Sequence, residues 1–79
     1  MDADNLIRMA NRIGEFFEAM PDRDEALNGI AEHIQKFWEP RMRGRILTVL
    51  AQPDEAAQLR PLVRDALQRH AAKLGKVQV

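Results

Sequence analysis

Four prolines, at positions 21, 40, 53 and 61, cut a chain that otherwise carries helical rhythm almost throughout. Proline lacks an amide hydrogen and its ring clashes with the preceding turn, so inside a helix it costs about 3 kcal/mol. It also pushes the residue before it out of the helical region. The same ring suits the first turn of a new helix. The prolines therefore mark boundaries, and the segments between them must pack as separate helices.

Leu6, Met9, Ala10, Ile13, Phe16, Phe17 and Met20 recur at spacings of three and four, so they share one helical face. Asp2 or Asp4 can cap this first helix by accepting from a free first-turn amide. Gly14 lies inside it and costs about 1 kcal/mol relative to Ala. It reads either as the close approach of a neighbouring helix or as a tolerated defect. Pro21 stops the helix, and Asp22 with Glu25 forms a D-x-x-E start signal for the second. Ala26, Leu27, Ile30, Ala31, Ile34, Phe37 and Trp38 make its stripe. A third helix starts at Pro40 or Arg41 and carries Met42, Ile46, Leu47, Val49 and Leu50, with Gly44 weakening its first turn. Asp54 to Leu59 leaves room for a short helical turn.

Pro61 could kink one long helix or begin a fourth; the second reading is favoured because a first-turn proline costs little. Leu62, Val63, Ala66, Leu67, His70, Ala71 and Leu74 supply that helix's face. Gly75 suits its C-terminal cap, and Lys73 and Lys76 suit the negative end of its dipole. Lys76 to Val79 is expected to fray. The fold class is thus all-α. The expectation is a small bundle of three to four helices with short Pro-containing turns, at roughly 4–20, 22–38, 41–51 and 61–74, in a single domain spanning 1–79.

At 79 residues the chain buries only about 60% of the surface its unfolded form exposes, so its core is marginal. It has no Cys, Ser or Tyr and a single Thr, Thr48, which excludes a Ser- or Cys-based nucleophile and a thiolate metal site. His33 and His70 are the only histidines, and a metal would need two or three convergent ligands. The glycines form no phosphate-cradling pattern. No apolar run approaches the roughly 20 residues of a membrane helix. The expected location is the cytoplasm, and no membrane partner is expected. The formal net charge is zero, but residues 1–39 hold four basic and nine acidic side chains, while 40–79 hold eight and three. Either the second half presents a basic surface to an acidic partner or the two halves pair with each other.

The chain turns on the stretch from Ile30 to Arg45, where its Trp, a Phe, a Pro and three arginines meet. Neighbours on a helix cannot point the same way, so one of Phe37 and Trp38 can fill the core while the other faces outward. Arg41, Arg43 and Arg45 occupy the start of the third helix, where positive charge opposes the dipole. They can answer the carbonyls ending the second helix and Glu39, or they can hold carboxylates or phosphate on a partner. Trp and Arg are enriched among interface hot spots. The candidate partner-binding set is Phe37, Trp38, Pro40, Arg41, Met42 and Arg43. A helix-turn-helix reading of this corner, with nucleic acid as partner, is the alternative from another class. The zero net charge and the apolar run after Arg45 count against it.

Several ordered blocks resemble a known family: Met9-Ala10-Asn11-Arg12-Ile13-Gly14, Phe16-Phe17 with Pro21, Gly29-Ile30-Ala31-Glu32-His33-Ile34, Phe37-Trp38-Glu39-Pro40-Arg41-Met42-Arg43, and more weakly Pro61 to Leu67. The chain resembles the delta subunit of the NAD-dependent, molybdenum-containing formate dehydrogenases. That resemblance implies a non-catalytic accessory subunit with no cofactor of its own. Its partners would be the catalytic alpha subunit and other subunits, which hold the molybdenum cofactor, iron–sulfur clusters and FMN. It leaves open a resident subunit supporting assembly or stability, or a dissociable chaperone for cofactor insertion.

Overall fold

The computed structural model describes residues 2–75, which hold six helices: α1 (Ala3–Phe17), α2 (Arg23–Phe37), α3 (Pro40–Ala51), α4 (Pro53–Ala56), α5 (Pro61–Arg69) and α6 (Ala71–Leu74). There is no strand among the described residues, and the fold is an all-α bundle. Three of the four prolines open helices, α3, α4 and α5, each at the first position. Asp2 and Asp22 cap α1 and α2, their carboxylates accepting from the amides of Asp4 and Glu25, each at 3.2 Å. The Lys76 contribution and the frayed 76–79 tail expected above lie outside the described residues.

Two boundaries differ from the expected spans. The first helix stops at Phe17 rather than near Met20, since Met20 precedes Pro21 and is biased away from helical backbone. The last helix, expected unbroken over 61–74, divides at His70, whose backbone leaves the helical region at φ −110°, ψ 18°. The break lets α6 turn back onto α2 and α3, and Leu74 is thereby fully buried. No proline or glycine announces this joint, because it is set by the packing it serves.

Helix α5 lies at the centre, packed against α1, α2 and α3. Val63, Ala66 and Leu67 are inaccessible there, together with Leu6, Ile30, Ile34 and Ile46. Gly14 is where α1 and α5 come closest: a Cβ at that position would stand 2.5 Å from Val63 Cγ2. The glycine is a close approach, not a defect. Next to it the Asn11 side chain joins α1 to the turn before α5. Its amide donates to the Gln58 carbonyl at 2.9 Å and its oxygen accepts from the Arg60 amide at 2.8 Å. These bonds satisfy backbone groups that a four-residue helix and a tight turn leave unpaired.

The uneven charge is answered in part within the domain. Arg60 donates two hydrogen bonds to Glu18, at 2.6 and 2.8 Å, and Arg69 meets Asp24 at 2.8 Å, each joining the basic half to the acidic half. Arg23 pairs with Asp65 in the reverse sense. Hydrogen bonding to Arg60 holds the Glu18 carboxyl below its ordinary range. All three pairs are substantially solvent-exposed, so they direct packing more than they add stability.

Candidate protein-docking site

The corner between α2 and α3 splits its residues between inside and outside. Trp38 leaves the helix with extended backbone, φ −93° and ψ 136°, and turns inward to 5% exposure. Phe37, one residue earlier and still helical, points out at 70% exposure. Pro40 and Arg41 are exposed and Met42 half-buried. Arg43 is only 8% exposed and donates to the Gln35 carbonyl at 3.2 Å, so it answers the end of α2. Its Nε is buried with no hydrogen-bond partner among the described residues. Arg41 and Arg45 remain exposed and make no ion pair among the described residues. The corner is thus partly structural. Trp38 and Arg43 are taken up by the domain's own packing, while Phe37, Pro40 and Arg41 face solvent.

A larger feature lies beside it. Met9, Arg12, Ile13, Phe16 and Phe17 of α1 face His33 of α2 and an edge of Trp38 across an open groove of about 600 Å³. Phe16 is 74% exposed and packs edge-on against Phe17, centroids 5.1 Å apart. Phe17 is half-buried because Gly29 leaves it a notch; a Cβ there would stand 2.4 Å from the ring. His33 stacks obliquely on Phe37 at 4.9 Å, which carries the apolar surface on past the groove's edge. Trp38 forms the floor. Its inward turn joins the corner to the groove, so one continuous face contains the aromatic residues of both.

Met9 and Phe16, expected above on the apolar face of the first helix, are exposed, and neither they nor Arg12 stood among the candidate partner-binding residues. The face of α1 that meets the core uses Leu6, Ile7, Ala10 and Gly14. Met9, Ile13 and Phe16 form a second stripe alongside, at the same three- and four-residue spacing. An apolar arc wider than one neighbouring helix can cover was the available signal. Among the described residues no three His, Asp or Glu side chains come together to hold a metal ion, and no helix is long and apolar enough to cross a membrane.

A family model described as the NADH-dependent formate dehydrogenase delta subunit, FdsD, matches residues 5–67. The chain belongs to this family. The match takes in the groove on α1 and α2, the corner at Pro40 and most of α5. No curated protein and no solved structure matches the chain. As a formate dehydrogenase delta subunit it has partner subunits.

Proposed function

We propose that this delta subunit is a non-catalytic accessory protein. It docks on the molybdenum-containing catalytic subunit and supports the assembly or stability of the formate dehydrogenase. In this reading the molybdenum cofactor, iron–sulfur clusters and FMN belong to its partners, and it contributes surface, not chemistry.

The observation that carries the reading is the exposure of Phe16 on an open groove that Trp38 helps to line, with Phe37 exposed just beyond its edge against His33. Burying a phenylalanine stabilises a fold by about 1.5–3 kcal/mol, and a small domain leaves two rings outside only at a cost. Contact with another subunit recovers that burial. Among the residues of the corner, Phe37, Pro40 and Arg41 offer direct contact. Trp38 and Arg43 hold the surface in place from beneath.

Co-purification tests the proposal. The tagged chain is expressed with the other subunits of a formate dehydrogenase and run on a sizing column, with molybdenum and activity followed across the eluate. Comigration with the active, metal-loaded enzyme is the expected result. Migration alone at every stage of expression contradicts it, and comigration with metal-free enzyme only would point to a dissociable assembly role instead.

A further inference from the structure

We infer that the groove between α1 and α2 receives an amphipathic helix of a partner subunit, and that this helix carries carboxylates at the end facing Arg8 and Arg12. The inference rests on the accessory-subunit reading and specifies the surface it uses.

The shape comes first. Met9, Ile13 and Phe16 are spaced as successive turns of α1, and His33 and Phe37 as successive turns of α2. From residue 9 to 16 the ridge extends about 10 Å, two helical turns at 1.5 Å per residue. A groove of that length, walled by helices on both sides, suits apolar anchors spaced three, four and seven residues apart on one helical face.

The charge selects the occupant. Arg12 is the one formally charged residue among those lining the groove. Arg8 and Arg12 then line, with Asn5 and Met9, a shallow cleft that continues it. Neither arginine makes an ion pair among the described residues. Asp4, one turn before Arg8, and Glu15, three residues after Arg12, flank the pair along α1, but neither acid lines the groove or the cleft. The groove is therefore apolar along its length and positive at one end. A partner helix with acidic residues at that end meets both demands.

The test uses the co-expressed complex and three variants, each first shown by its thermal melt to be folded. Phe16→Ser with Phe37→Ser removes the apolar contact. Arg8→Glu with Arg12→Glu reverses the basic end. Arg45→Glu with Lys73→Glu alters exposed basic residues outside the groove and serves as the comparison. The expected result is a fall on the order of tenfold or more in the fraction of chain retained on the enzyme for each groove variant, and a much smaller fall for the comparison variant. Retention of the unaltered chain should also weaken with salt, and the Arg8/Arg12 variant should lose that dependence. A photo-crosslinker at position 16 should capture a segment of a large subunit with helical apolar spacing and an acidic end. Full retention of both groove variants alongside a retained unaltered chain overturns the groove assignment alone. So does a crosslink only to a second copy, or release of a small apolar molecule from the purified chain. An unaltered chain that binds no formate dehydrogenase subunit overturns this inference and the accessory reading together.

Discussion

On one flank of α1, Gly14 brings Val63 of α5 against the helix backbone, Asn11 ties down the following turn and Glu18 meets Arg60. On the other flank, Phe16 stands largely in solvent on an open groove, and Phe37 of α2 is exposed just beyond its edge. The first flank is closed with the smallest residue and with hydrogen bonds of ordinary length. The second spends two of the chain's three phenylalanines and leaves them largely uncovered. A domain of this size has little apolar area to spare, so the contrast separates what the fold needs from what it presents. Trp38 belongs to both, since its body is in the core and one edge floors the groove.

The contrast can be broken most directly at Trp38. Trp38→Ala should cost about 3–5 kcal/mol, because it leaves a cavity under α2 and α3 as well as a deeper groove. Denaturant unfolding checks this; a loss below 1 kcal/mol would place Trp38 with the presented surface and not with the core. Gly14→Ala comes next. Its added methyl meets a stiff, fully buried valine, so overpacking of about 1–3 kcal/mol should exceed the roughly 1 kcal/mol gain in helix propensity. Pairing it with Val63→Ala should recover part of the loss, and additivity of the two changes would contradict the contact.

Gly44 sharpens the comparison from the other side. It lies in α3 with nothing within 4 Å of where a Cβ would be. Gly44→Ala should therefore stabilise by about 0.5–1 kcal/mol, read as a rise in the denaturant midpoint, where the same change at Gly14 destabilises. The smallest effect expected is electrostatic. Glu18 titrates below its unfolded value because Arg60 bonds its charged form. That contribution is present above the unfolded pKa and is lost as pH falls through the folded one. Stability of the unaltered chain should fall more steeply in acid than that of Glu18→Gln, and parallel pH profiles would remove Glu18 from the account.

Much of the architecture was legible because it is written in local chemistry. Asp22 and Glu25 mark a helix start, Pro61 marks another, and Gly14 announces a close neighbour. Which of Phe37 and Trp38 faces inward was not legible. The two differ by about 100° around one helix, and the choice depends on where α1 and α3 lie. Phe16 fits the apolar rhythm of α1 as well as any core residue does, and only the bundle's limited width puts it outside. The split at His70 leaves no local mark for the same reason. Arg43 was readable as either an anchor for the end of α2 or a partner contact, and its bond to Gln35 gives it the first role. The basic end at Arg8 and Arg12 was overshadowed by the denser cluster at 41–45.

The central claim is that the flank of α1 and α2 bearing Phe16 and Phe37 is made for a partner. Amide hydrogen exchange on the isolated chain and on the chain within its formate dehydrogenase complex tests it most directly. The account predicts that protection on assembly rises along Met9 to Phe17 and His33 to Trp38, while α4 and the exposed side of α5 change little. Unchanged exchange along the groove, with new protection confined to α4 or to the Arg41–Arg45 segment, would contradict it.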